Sequence, residues 1–155
     1  MTVVGEFDLI RDLLAKVNQP DGTGNDGQEG VWLGAGDDAA VLDTGRLVMS
    51  TDLTVEDVHF RRSWVTFAET GARAVTAAAS DLAAMAATPV AVLISVAISP
   101  LEARAILSEL GDGIKAALRE LGAPLVGGDL SASPGPIFID VTVVGAAEEP
   151  VTRSG

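Results

Sequence analysis

Five aspartates at unusual positions are the residues of this sequence most able to do chemistry. Asp37 and Asp38 follow Gly34 and Gly36, Asp52 follows an apolar run and the hydroxyl pair Ser50 and Thr51, and Asp129 follows Gly127 and Gly128. Each of these four is expected where a strand ends and the backbone turns, as glycine permits. Asp81 lies inside a helical segment with Ala77, Ala78, Ala84 and Met85 one turn away. A carboxylate on such a packing face is costly, so a cation or strong donors are expected beside it. Carboxylates and hydroxyls, without cysteine and with a single histidine, His59, suit a hard, oxygen-seeking ion such as Mg²⁺. Taken alone, any one Asp after Gly closes its turn through its own side chain, Asp81 is a solvated acid on the exposed side of its helix, and His59 is a polar residue near a strand end. Five acids together favour chemistry.

Two phosphate-binding motifs are excluded. The pattern G-x-x-x-x-G-K-[ST] is absent, and no lysine follows a glycine pair. Residues 34–39, Gly-Ala-Gly-Asp-Asp-Ala, mimic a dinucleotide fingerprint, but only Ala39 to Leu42 stand before the turn at Asp43 to Gly45, where a helix is required. The 155 residues carry 10 Lys+Arg against 22 Asp+Glu, a formal charge of -12. That charge provides no basic stripe for nucleic acid and fits cationic partners or anions wrapped in metal ions. Without cysteine there is neither a disulfide framework nor a thiolate metal site.

The elements that position these acids follow from periodicity. Phe7, Ile10, Leu14 and Val17 predict an amphipathic helix over residues 5–17, and residues 18–30 read as a flexible surface loop. Short strands are expected at 31–33, 39–42, 46–51 and 54–60. Residues 66–86 predict a helix with small residues on its packing face, and Pro89 restarts the chain as a strand to about Ser99. Ala103, Ile106, Leu107, Leu110, Ile114, Ala117, Leu118 and Leu121 form the stripe of a second helix over 101–121, weakened in its middle by Gly111 and Gly113. Residues 124–126 should run into a turn at Gly127 and Gly128, and 136–144 alternates as a strand. The order gives an α+β fold with a mixed β-sheet packed against two long helices. The uncharged stretch from Leu82 to Leu101 has membrane-spanning length, but Pro89 and Pro100 divide it into a helix end and a strand. With Glu6 and Asp8 in place of a basic leader, a soluble, cytoplasmic single domain is expected.

The motifs resemble the N-terminal half of bacterial thiamine-monophosphate kinases. They are Gly5-Glu6-Phe7, Gly36-Asp37-Asp38-Ala39-Ala40, Ser50-Thr51-Asp52, Val55-Glu56, Val58-His59-Phe60, Ser80-Asp81-Leu82-Ala83-Ala84-Met85 with Pro89, Gly127-Gly128-Asp129 and Thr152-Arg153-Ser154-Gly155. Aminoimidazole ribonucleotide synthetase, selenophosphate synthetase and the hydrogenase maturation dehydratase are sister families with the same ATP-binding fold. The resemblance implies ATP-dependent phosphorylation of thiamine monophosphate to thiamine diphosphate with several Mg²⁺ ions. It implies Asp38, Ser50, Thr51, Asp52, Asp81 and Asp129 as metal ligands, Gly128, Asp129 and Arg153 at ATP, and His59 at thiamine monophosphate. It further implies that residues 1–155 are the ATP- and Mg²⁺-binding N-terminal domain, that the family's C-terminal domain lies outside this chain, and that two sheets join into a barrel in a homodimer.

The sequence departs from that pattern in places. Asp57 stands where the family has Gly, and Leu130 where it has Thr, which removes a hydroxyl near the Gly-Gly-Asp. Ala79 and Ala86 replace Leu and Gly, which reads as a packing change. The competing expectations are another ATP-dependent synthetase of the same fold and a non-catalytic acidic interaction module.

Overall fold

The computed structural model describes residues 6–17, 31–33, 41–42 and 46–151. The elements are α1 (Glu6–Val17), β1 (Val31–Leu33), β2 (Val41–Leu42), β3 (Leu47–Val55), α2 (Phe67–Ala84), β4 (Thr88–Ile98), α3 (Ala103–Leu121), β5 (Leu125–Ala132) and β6 (Phe138–Ala146). β1 and β2 pair antiparallel. The other strands form one mixed sheet in the order β3-β6-β4-β5, in which β4 and β5 run parallel and β6 runs antiparallel to both β3 and β4. The last of the described strands, β6, therefore lies inside the sheet. The expected mixed α+β arrangement is observed.

One face of the sheet carries the core. Ile139, Val141 and Val143 of β6 and Val92, Ile94, Val96 and Ile98 of β4 alternate with outward residues and meet Val75, Ala78 and Leu82 of α2 and Leu107, Leu110 and Ile114 of α3. The small packing face expected for α2 is present as Gly71, Ala74 and Ala78. Gly113 does not weaken α3 as a stray break would. A Cβ at Gly113 would run into the Ala68 carbonyl of α2, and one at Gly71 into that of Leu110, so the two helices touch backbone to backbone. Gly111 gives α1 room, because a Cβ there would lie 3.1 Å from Leu13 and 3.4 Å from Lys16.

Three expectations are corrected. The strands expected at 46–51 and 54–60 are one strand, β3, which pairs continuously with β6 from Leu47↔Ala146 to Val55↔Phe138. Asp52 thus lies inside a strand opposite Val141, and it does not end one. Beyond it, residues 56–60 form a closed turn: Val58 and His59 N–H donate to the Val55 carbonyl, and Asp57 N–H to that of Phe60. The turn expected at Gly127 and Gly128 is also strand. β5 passes through both, with Leu93↔Gly127, Ile94↔Gly128 and Ser95↔Asp129 as partners. Gly128 is required because a Cβ there would overlap the Ile94 carbonyl of β4.

α2 starts on a capping box, in which Thr66 accepts from Glu69 N–H at 3.1 Å while the Glu69 carboxylate accepts from Thr66 N–H at 2.8 Å. Its end is less usual. Ala86 follows the C-cap Met85 with φ 53°, and Ala87 N–H reaches back to the Leu82 carbonyl at 2.9 Å. Position 86 is thus decided by left-handed backbone, and the substitution of Ala for the family's Gly there is not a packing change. Leu130 is the converse: it is buried in the core on the helix side, so its departure alters packing. Ala86→Gly is expected to raise stability by about 1 kcal/mol, the cost of left-handed backbone with a Cβ. The urea midpoint of the variant against the parent checks this.

Candidate functional site

α2 runs antiparallel to β3 along the core side of the sheet, and the two periods meet. Ser50, Asp52 and Thr54 share one face of β3 by alternation, while Thr70, Arg73, Ala77 and Asp81 recur at helical spacing on the side of α2 that faces them. The result is an open cleft of about 220 Å³ lined by Asp52, Leu53, Thr54, His59, Phe60, Thr70, Arg73 and Ala77. Beyond its lining, one step further along β3 and α2, Ser50 Oγ donates to Asp81 Oδ2 at 2.6 Å. The strong donor expected beside Asp81 is therefore present, but the packing face is not. Asp81 is exposed at the rim of α2, whose buried side runs through Ala78, Ala79 and Leu82. His59 Nδ1 accepts from Val55 N–H at 2.9 Å, so the neutral imidazole carries its proton on Nε2.

The opposite face of the sheet holds a second set of polar groups. Thr51 Oγ1 donates to Asp140 Oδ1 at 3.1 Å and lies 3.1 Å from Thr142 Oγ1. Asp140, Ser95 and Asp129 occupy one lateral row across β6, β4 and β5, and Asp129 Oδ2 accepts from Ser131 Oγ at 3.1 Å. Thr51 and Asp129 stand on opposite edge strands, three strand spacings and two residues apart, or about 16 Å. The expected ligands thus divide: Ser50, Asp52 and Asp81 on the helix side, Thr51 and Asp129 on the other. Asp37, Asp38 and Arg153 lie outside the described residues, as does the 18–30 loop. Among the described residues no three of His, Cys, Asp and Glu converge as a metal-holding group. The donor chemistry of Ser50, Asp52 and Asp81, all oxygen, fits a hard divalent cation.

An ion pair between buried Glu56 and exposed Arg62 fixes the turn that carries His59. Glu56 is buried, its carboxylate accepting from Arg62 Nε, from Arg62 Nη2 at 3.3 Å and from Ile137 N–H at 3.0 Å. Arg62 also donates to Glu102 at 2.7 Å and lies over the Phe67 ring at 5.6 Å. The Arg62 hydrogen bond, opposed by burial and aided by Ile137 N–H, holds the Glu56 carboxyl below its ordinary range. Asp57 adopts φ 65°, which explains the family's glycine at that place. Sequence reasoning passed over Glu56 as part of a motif and missed Arg62, Asp140 and Arg73. The available signal for Arg73 was its phase, eight residues before Asp81.

The domain is a mixed sheet with helices packed on one face and carboxylates on its edge strands. The chain belongs to the family described as AIR synthase related protein, N-terminal domain, whose profile matches residues 36–147. It is similar to the thiamine-monophosphate kinase of Mycobacterium tuberculosis strain H37Rv, at 36% identity over 156 residues, covering 98% of this chain and 44% of that protein. The crystal structure of thiamine monophosphate kinase from Aquifex aeolicus superposes with a TM-score of 0.66 at 28% identity, over 99% of this chain and 47% of the other. AaThiL complexed with AMPPCP and TMP gives 0.66 and 28%, over 97% and 45%. The chain spans about half the length of the relatives it matches. Among the described residues no helix is long and apolar enough to cross a membrane.

Because the folded-state pKa of Glu56 is depressed, its stabilisation is present at neutral pH. It is lost as pH falls from the ordinary glutamate range, about 4.3, through the lower folded value. Glu56→Gln should cost about 1–3 kcal/mol at pH 7 and flatten the acid limb of the stability profile. Urea unfolding at pH 7 and pH 3.5 measures both.

Proposed function

We propose that this chain is the ATP- and Mg²⁺-binding half of a kinase that adds a second phosphate to thiamine monophosphate, giving thiamine diphosphate and ADP. Residues 1–155 are its N-terminal domain, and a C-terminal domain of the kind the relatives carry completes the nucleotide and thiamine sites. The observation that carries the reading is the cleft between β3 and α2 lined by His59 and Asp52, with the Ser50–Asp81 hydrogen bond on the same two elements beyond its lining. The AMPPCP and TMP complex of AaThiL supports the choice of ligands.

In this reading Ser50, Asp52 and Asp81, with Asp38, hold Mg²⁺ on the helix side, and His59 meets thiamine monophosphate. Thr51, Gly128, Asp129 and Arg153 belong to the nucleotide side. When bound, Mg²⁺ supplies charge neutralisation between two anions that repel each other. The chain's own task is alignment: it sets the acceptor phosphate in line with the γ-phosphorus, so that one P–O bond forms as the bond to the leaving ADP breaks. The acceptor phosphate is largely ionised at neutral pH and needs no dedicated base.

Thr51 and Asp129, about 16 Å apart across one sheet, can share an ion only if a second copy brings its β5 edge toward β3. We infer a homodimer in which the open sheet faces meet as a barrel. Its support is the apolar character of that face, where Met49 is 62% exposed and Leu47, Leu53 and Phe138 also stand open beside a small cluster of Val90, Ala91, Val126 and Val144.

Calorimetric titration of an ATP analogue should show binding with Mg²⁺, none in EDTA, and at least a tenfold loss in Asp52→Asn. Equal binding in EDTA, or in the variant, would sink the metal-nucleotide reading in favour of an acidic interaction module or another kind of site. Met49→Glu with Leu53→Glu should convert a dimer to monomer by light scattering after size exclusion. A parent chain that runs as a monomer at high micromolar concentration would remove the dimer.

A further inference from the structure

We propose that Arg73, with the Nε2–H of His59, is the anion grip of the α2–β3 cleft and holds the phosphate monoester of the acceptor substrate. This deepens the kinase reading above and rests on it for the identity of that substrate. The chain as a whole repels anions, with a formal charge of -12, so a phosphate entering without its own metal needs a local cation. Among the residues lining the cleft Arg73 alone is cationic.

Arg73 is also available. Among the described residues no carboxylate lies within ion-pair distance of it. Its electrostatic neighbour is Glu69, one turn earlier on α2, and that carboxylate is already occupied by Thr66 N–H and Thr66 Oγ1, both at 2.8 Å. Thr70 does not compete for a ligand, since its hydroxyl donates to the Thr66 carbonyl at 2.9 Å. From the other wall, His59 offers its remaining nitrogen as a donor because Nδ1 is held by Val55 N–H. Buried Phe60 lies beneath and excludes water from one side. A planar guanidinium fork and an imidazole N–H converging on one cleft match a tetrahedral oxyanion.

The helix also sets the spacing. Arg73 precedes Asp81 by eight residues, about 12 Å along α2 at 1.5 Å per residue, with Asp52 facing the interval from β3. A phosphate held by Arg73 and one held at the Ser50–Asp81 end would therefore share one groove, and the Arg73 side chain has to extend along it toward Asp52 to bring an acceptor oxygen within about 3–3.5 Å of the donor phosphorus, as in-line transfer requires.

The test is calorimetric titration of thiamine monophosphate, thiamine and inorganic phosphate into the chain, all in EDTA to remove metal-bridged binding. Arg73→Ala, Arg73→Lys and His59→Gln are compared with the parent. Arg73 is exposed on α2 and Ala is the better helix former, so the fold is retained. The expected result is a preference for thiamine monophosphate over thiamine that falls about 10- to 100-fold in Arg73→Ala. Thiamine binding should stay unchanged, and Arg73→Lys should recover part of the preference. A preference that survives Arg73→Ala overturns the grip and leaves the kinase reading standing. Arg73-dependent binding of inorganic phosphate without preference for thiamine monophosphate keeps the grip and overturns the kinase reading. A parent chain that binds neither phosphate-bearing probe overturns the grip.

Discussion

The position of α2 on the sheet depends on its close crossing with α3. Gly71 and Gly113 let the two backbones meet where any side chain would collide with a carbonyl of the facing helix. Because both helices also bury their apolar stripes in the same layer, α2 cannot shift along β3 without opening the core. The polar cleft inherits that rigidity. A 2.6 Å contact between Ser50 and Asp81 survives only if helix and strand are held to a few tenths of an ångström, and the fixed element here is a pair of residues with no side chain.

The turn carrying His59 is secured by different means. It protrudes beyond the end of β3, with Phe60 buried in the core, and Glu56 and Arg62 add a polar anchor by joining the turn to β6 through Ile137 and to the start of α3 through Glu102. A buried carboxylate with three donors is costly to leave unpaired, so the turn has one good geometry. Packing thus holds the Ser50–Asp81 end, and hydrogen bonding to charge, together with buried Phe60, holds the histidine end.

Much of the fold was legible in the sequence, and the misses have a common cause. The stripe of α3 and the alternation of β6 were plain because each faces a core on one side and something different on the other. β3 and β5 are the two edges of the sheet, and edge strands tolerate acids and glycines that interior strands do not, so Asp52 and the Gly127–Gly128 pair read as breaks. The phase of α2 was ambiguous because alanine lies on both of its sides, which is why Asp81 was expected on the packing face. At the site, the acids Ser50 serves were found by type and order. Arg73 was not, because one arginine on an alanine-rich helix reads as a solubilising residue until the strand opposite is known.

The sheet order also governs how the chain reaches its native state. β3 and β4 have no direct pairing and are joined only through β6, the last of the described strands along the chain. The side-chain contact of Thr51 with Thr142 closes a loop of 91 residues. Both helices and the parallel β4–β5 pair can form from nearer neighbours, but until β6 threads between them the inner edges of β3 and β4 stand open, each a template for another chain. Folding of this domain is therefore a late, non-local zipping event, slow for its size and most exposed to aggregation just before its final strand arrives.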